Sequence, residues 1–388
     1  MGARPTPPPG TTRGNFIAEW FGHRVWPVPN DSPSAVLNQT ARRCPFLSNA
    51  TGEDRQCIKV PSRGEEPTGV CTISSDSNGI REDWLACPYR TLDQHFTLLG
   101  EVVRTLYRVP LEIDVLGIPV TILQRADVQE RVANALENGV TRVFLFTSDK
   151  LGGEIDLPET TVSPGAKVDV SIVELLSLDP LTGSPETFGQ HVFYEIQTSD
   201  FHGSPLHAVH LLQEICPANS TKPYHQALRA KPEIAGTGVE GPNKANVFKR
   251  TFYQMILKVQ FAEHPLCAGF AIILPLPVWN SWLRHFANPN LVEVDTARRI
   301  FVLAGPDERA ADIAATSRSW IFVFDIDRES RESPKPLLIA RRIATSASAL
   351  MHQAFTAAAQ QGIAAGVIDR YRHTLETRVR AKWPHKSG

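Results

Sequence analysis

From Thr91 onward the apolar residues alternate between helical and strand spacing, and that alternation restricts the chain to an α/β architecture. Residues 91–107 read as a helix. Residues 126–138 read as a second, with Val128, Val132 and Leu136 at helical spacing and Gly139 as the stop. RVFLFT (142–147) reads as a buried strand, and KVDVSIVELL (167–176) as another. Asp179, Pro180, Gly183 and Pro185 mark a turn region before a third strand, HVFYEIQT (191–198). The last two strands are near enough in sequence to pair as a hairpin. Residues 246–262 form an amphipathic helix with Phe248, Phe252, Met255 and Val259 as its apolar stripe. Short strands follow at 268–274 and 320–326, and an Ala-rich helix spans 345–380.

The part before Thr91 reads differently. Residues 1–14 are rich in Pro, Gly and Thr and predict a disordered tail. Order is expected to begin at Asn15, with NFIAEWFGHRV. Residues 28–90 carry turn formers and cysteines but few long apolar runs, so residues 15–90 read as a subdomain in need of extra stabilisation, such as a metal. The remainder, 91–388, reads as the main domain. With 42% hydrophobic and 21% charged residues the chain can bury a proper core. No apolar run is long enough for a bilayer, and the first residues lack a secretory h-region, so a cytoplasmic protein without a membrane partner is expected. The net charge of −1 weighs weakly against a nucleic-acid partner. Carboxylates that gather a cation and a local Lys/Arg face can still sum to zero.

The informative acidic residues are Glu154, Asp169 and Glu195, with Gln197 beside them. Asp169 lies between Val168 and Val170, and Glu195 between Tyr194 and Ile196, in strands that otherwise look buried. A charge there costs free energy unless it is paired or holds a cation. Strand side chains alternate, so Glu195 and Gln197 share a face, and Asp169 joins them if the hairpin pairs in suitable register. Two carboxylates and a third polar group suit Mg²⁺, which takes oxygen ligands and keeps several waters. Asp…Glu-x-(Lys/Gln) across two strands is how metal-dependent nucleases build their centre. Gln197 can orient water but supplies no positive charge. Spacing alone leaves open that these are solvated carboxylates on a half-exposed strand face.

Four of the six cysteines, Cys44, Cys57, Cys71 and Cys87, have 12, 13 and 15 residues between them. Four thiolates make a soft tetrahedral site suited to zinc or iron, although the spacing lacks a C-x₂-C knuckle, and buried free thiols remain an alternative. Such a site is structural, because four protein ligands leave no open position. Cys216 and Cys267 are expected to pack as small hydrophobes. Lys244, Asn246, Lys249 and Arg250 gather near a helix N-terminus, where phosphates are favoured, and Arg284 follows a pair of tryptophans. These are the candidate DNA contacts, with a solvated helix face as the alternative. His202, His207 and His210 follow the third strand and are expected to serve local hydrogen bonding.

At these residues the chain becomes recognisable. NFIAEWFGHRV (15–25), KLGGE (150–154), EIQTSDFHGS (195–204), EGPNKANVFKRTFYQM (240–255), SWLRH (281–285) and WIFVFDID (320–327) closely resemble, in the same order, segments of the NotI-like type II restriction endonucleases of the PD-(D/E)XK nuclease superfamily. The likeness runs from about Asn15 to Arg328 and is weak over the last sixty residues. It implies a PD-(D/E)XK core: a mixed central sheet flanked by helices, with an N-terminal four-cysteine metal subdomain. It implies that Glu154, Asp169, Glu195 and Gln197 form the catalytic set, with Asp169 and Glu195 as the main Mg²⁺ ligands. It also implies iron in the cysteine site, double-stranded DNA with a GC-rich palindrome as substrate, a homodimer, and a companion methyltransferase. The competing expectations are a non-cleaving sequence-specific DNA-binding protein on the same scaffold and a small-substrate metal hydrolase using the cysteines.

Overall fold

The computed structural model describes residues 14–60, 66–77, 80–220 and 224–382. Among these residues the strands form three sheets. β1 (Asn15–Trp20), β2 (His23–Arg24), β3 (Val70–Ser77) and β4 (Ile80–Leu85) make an N-terminal sheet in the order β2-β1-β3-β4. The large sheet uses β5 (Asp114–Pro119), β6 (Thr141–Ser148), β9 (Val170–Leu178), β10 (Pro185–Ile196), β11 (Cys267–Pro275), β12 (Val292–Asp295), β13 (Ile300–Leu303), β14 (Ser319–Ile326) and β15 (Leu337–Thr345). A two-stranded ribbon pairs β7 (Ile155–Leu157) with β8 (Ala166–Val168).

The large sheet runs β12-β13-β15-β14-β11-β10-β9-β6-β5 and is mixed. β10, β11 and β14 run parallel, whereas β9 is antiparallel to both β6 and β10. β11 is buried along its whole length, which explains why CAGFAIILP is a continuous apolar run rather than an alternating one. Its two faces feed two cores. Ala271 and Ile273 pack with Leu98, Val102 and Leu106 of the helix Thr97–Leu106, and with Phe144, Phe322 and Phe324. Phe270, Ile272 and Leu274 pack with Phe252, Met255 and Val259 of the helix Lys244–Phe261, and with Trp279 and Trp282. The mixed α/β layering expected from the alternation is therefore present.

Several element boundaries differ from expectation, each for a visible reason. The helix expected at 91–107 begins only at Thr97, after Phe96 at φ +49°, and the Thr97 N–H donates to Asp93 Oδ1 (2.7 Å). The strand expected at 167–176 is broken at Asp169 into β8 and β9. β10 starts at Pro185, inside the expected turn region, and ends at Ile196. The single helix expected at 345–380 is wrong. Its first residue closes β15, and the rest is split into Ala347–Met351, a π turn His352–Ala357, Ala358–Ala364 and Val367–Lys382, with Gly366 at φ +71° between the last two. Alanine favours helix everywhere and so hides the breaks. β12, β13, the helix Ala310–Thr316 and β15 were not anticipated. In β15, Arg341 and Arg342 interrupt the apolar pattern, and Arg342 is held by Glu101 at 2.6 Å.

The cysteine-bearing segment does not rely on cysteines alone. Ile17, Trp20, Phe21, Val25, Val70 and Ile73 pack against Ala208, Val209 and Leu212 of the helix Leu206–Ile215. Cys44, Phe46, Leu47 and Cys71 belong to the same core as the helix Thr97–Leu106. Glu19 of β1 and Arg90 form an ion pair with both side chains 0% exposed. No helix among the described residues is long and apolar enough to cross a membrane.

A carboxylate cluster facing a buried lysine

Asp169 occupies the one-residue break between β8 and β9, and Glu195 is the penultimate residue of β10. β9 and β10 are antiparallel with Val170 opposite Tyr194, which sets Asp169 beside Glu195. The contact is direct. The Asp169 N–H donates to Glu195 Oε1 (3.3 Å), and the Ile196 N–H donates to Asp169 Oδ2 (2.9 Å). The ladder break serves this arrangement, because it releases the Asp169 N–H from strand pairing. Each carboxylate therefore has one oxygen held by backbone. Among the described residues nothing donates to Asp169 Oδ1 or to Glu195 Oε2, and neither atom is sealed from the surrounding clefts.

Alternation places Gln197 on the same face as Glu195, as expected, and that face meets the helix Lys244–Phe261. The Thr251 hydroxyl donates to Gln197 Oε1, and Gln197 Nε2 donates to the Thr198 carbonyl (2.7 Å). Two turns further along the helix, Lys258 Nζ lies 2.7 Å from Glu195 Oε1 with its side chain 1% exposed. The approach is close but off the hydrogen-bonding angle, and the ammonium has no hydrogen-bond partner among the described residues. Burial, then the Asp169 charge, pushes the Glu195 carboxyl up to about 7, against the pull of Lys258. Burial also raises Asp169, opposed by the Ile196 N–H and by Lys258.

Glu154 comes to the cluster from another side. Ile155 pairs with Val168 in the ribbon, so Glu154 stands level with Asp169. The two line one cleft of about 240 Å³ with Tyr89, Ser148 and Asp149. An adjoining cleft of about 210 Å³ is lined by Asp169, Glu195, Gln197, Thr251 and Gln254. Either is roomy enough for an ion with several waters at roughly 30 Å³ each. No bond between Glu154 and either carboxylate is present among the described residues; it pairs with Lys167 at 3.7 Å.

Lys258, Thr251 and Gln254 were missed by the sequence reasoning. The one signal was their spacing: the three form a row on the shoulder of the apolar stripe Phe248–Phe252–Met255–Val259, where a solvated lysine is the ordinary reading. Of the expected DNA contacts, the side chains of Asn246, Lys249, Arg250 and Arg284 lie outside the described residues. Lys244 opens the helix, with its Nζ 5.4 Å from the centre of the Trp84 ring. His202, His207 and His210 are exposed, and the His202 N–H donates to the Gly241 carbonyl (3.1 Å).

The four cysteines converge from separate segments, and all are free thiols. Cys44 and Cys87 each precede a proline at the start of a helical turn, Pro45–Thr51 and Pro88–Thr91. N–H groups there point at sulfur: those of Phe46 and Leu47 at Cys44, and those of Tyr89 and Arg90 at Cys87. Lys59 and Gly69 do the same for Cys57. The Gly22 N–H donates to Cys71 Sγ at 3.3 Å. Gly22 has φ +80°, and a Cβ there would meet Pro45 Cγ at 2.3 Å, so only glycine brings this N–H in. Ionisation of Cys71 is opposed first by burial, and negative charge on Cys87, Glu19, Cys44 or Cys57 would oppose it further. Burial raises every one of these thiols, to about 12 for Cys44 and about 11 for Cys57. Of the remaining two, Cys216 packs as the expected small hydrophobe. Cys267 is buried too, but its Sγ lies 2.9 Å from His191 Nε2.

Among the described residues no group of three or more His, Cys, Asp or Glu side chains is arranged as a ligating shell. No protein-family model and no curated protein matches the chain.

Proposed function

We infer that the chain is a Mg²⁺-dependent endonuclease of the PD-(D/E)XK type, cutting double-stranded DNA. One observation carries this reading: Asp169, at the β8–β9 break, and Glu195, on the neighbouring strand, stand side by side, each carboxylate bound by a backbone N–H of the other segment and each leaving one oxygen open toward a cleft. That donor set fits a hard cation. Asp169 and Glu195 would hold it, and Glu154, which shares a cleft with Asp169, would hold a second ion or a water. Magnesium bound there would lower the pKa of a water and neutralise charge on the phosphodiester. Gln197, fixed by Thr251 and by the Thr198 carbonyl, orients the attacking water. The antiparallel pair β9 and β10 beside the carboxylates, the parallel strand β11 next to it and helices on both faces support a core of that kind. The likeness of the six sequence blocks to NotI-like enzymes supports a GC-rich palindrome, a homodimer that matches its two-fold symmetry, and a protective methyltransferase.

Incubation with plasmid and Mg²⁺ tests the reading. Discrete fragments with common ends are expected. Retarded but intact DNA at every metal concentration would establish the non-cleaving DNA-binding protein instead.

The cysteine cluster fits a structural metal. Four thiols each receive backbone N–H groups, which stabilise thiolates in a buried place where uncompensated thiols stay protonated. The likeness favours iron over zinc. The purified protein is expected to carry about one metal per chain by elemental analysis. Cys44→Ala should lose it and unfold at lower denaturant, since the binding free energy of a structural site is folding free energy. A metal-free wild type as stable as one loaded with metal would count against the site. Cleavage of small substrates without DNA, lost on cysteine substitution alone, would favour the hydrolase reading.

A further inference from the structure

We propose that Lys258 is a positioning residue of the carboxylate cluster: its ammonium claims Glu195 Oε1, so that this carboxylate presents Oε2 alone to the cation beside Asp169. The inference rests on the nuclease reading and adds a residue to it. Lys258 stands on the helix Lys244–Phe261, not on the catalytic strand, where position 197 is a glutamine.

A lysine with 1% of its side chain exposed must repay the loss of water, and Glu195 at 2.7 Å is its sole ion-pair partner among the described residues. Were the lysine merely packed, an apolar residue of the same length would serve better, since its neighbour Val259 and nearby Met255 already belong to the core. Oε1 is claimed twice, by Lys258 and by the Asp169 N–H, while Oε2 receives no donor among the described residues. One-oxygen presentation fixes where a cation sits relative to Asp169 Oδ1. It also places a second positive charge within reach of that cation, which weakens cation binding while aligning the site.

Opposite changes in two measurements follow. In Lys258→Met, Glu195 is free to chelate through both oxygens without a competing charge. Mn²⁺ binding to the protein alone, read at alkaline pH by the EPR signal of free Mn²⁺, should tighten by roughly fivefold or more. The single-turnover cleavage rate at saturating Mg²⁺ should fall by about 10–100-fold, as for other residues that orient a metal ligand. Retention of duplex DNA in Ca²⁺ should stay within about twofold, because Lys258 does not line the clefts. Lys258→Arg should recover most of the cleavage. Lys258→Gln keeps a donor without the charge, and should show the tighter Mn²⁺ binding with an intermediate rate. It also covers the case in which the methionine variant does not fold. Unchanged or weaker Mn²⁺ binding, or cleavage within about threefold of wild type, overturns the role of Lys258. Absence of cleavage by the wild type overturns the nuclease reading itself.

Discussion

Replacement of Asp169 by alanine is expected to abolish plasmid cleavage, with a loss on the order of 10³-fold or more, while the protein still retards duplex DNA in Ca²⁺. The size follows from position. Of the three carboxylates in the cluster, Asp169 alone lines both clefts, so its removal leaves them no shared carboxylate. Asp169→Asn separates charge from architecture. The amide oxygen can still accept the Ile196 N–H that Oδ2 accepts at 2.9 Å, so the fold of the β8–β9 break is kept while a charged ligand is lost. Both variants should therefore be inactive, and Asp169→Asn should unfold close to wild type. Glu195→Ala should be inactive as well, but it strips the buried Lys258 ammonium of its ion-pair partner and should unfold at lower denaturant. Fragments appearing at near-normal rate with either Asp169 variant would remove the assignment.

The second large effect concerns stability and is independent of any activity. Arg90→Met should destabilise the protein by about 3–5 kcal/mol, read as a lower denaturant midpoint at unchanged slope. Arg90 meets Glu19 through both its Nε (2.9 Å to Oε2) and a terminal nitrogen (3.2 Å to Oε1), and neither side chain touches solvent. With the guanidinium gone, Glu19 keeps the Thr72 hydroxyl at 3.2 Å. His23 is neutral in the native protein, since burial pushes its pKa down to about 4. The second member of a double-mutant cycle decides the cause. Glu19→Gln added to Arg90→Met should recover a large part of the loss, because the uncompensated charge is removed with its partner. A loss below about 1 kcal/mol, or no recovery in the double variant, would mean that the pair does not hold the N-terminal sheet to the rest.

Much of this arrangement was legible before any coordinates. The helix Ala126–Asn138 has the bounds its periodicity gives, because Gly139 ends it at φ +67° and Val128, Val132 and Ala135 form its buried face. The pairing of the strands around 170 and 192 was legible from their closeness, and the shared face of Glu195 and Gln197 from strand alternation alone. Boundaries were lost where a side chain overrode the local pattern. Asp93 binds the first N–H of a helix that starts late, Asp169 interrupted a strand to bond its neighbour, and Arg342 disguised a strand by pairing with Glu101. The alanine-rich end misled because its composition favours helix without marking where one helix stops. Val367–Lys382 is exposed along most of its length, with Tyr371 67% and Ile368 59% accessible.

Sequence by itself determined that Glu195 and Gln197 share a face, because alternation along a strand is a property of the backbone and holds whatever the strand packs against; the register that brings Asp169 beside them came only with the assembled sheet. It determined the α/β layering for the same reason: period and run length are local. Only the tertiary structure decided what stands opposite that face. Lys258 is sixty-three positions from Glu195, and no local rule connects a helix shoulder to a strand it reaches only after the sheet has assembled. The same holds for the four cysteines, whose sulfurs are brought together by two proline-started turns and one left-handed glycine. Contacts of that kind depend on how separate elements pack, and packing is settled by the whole core at once.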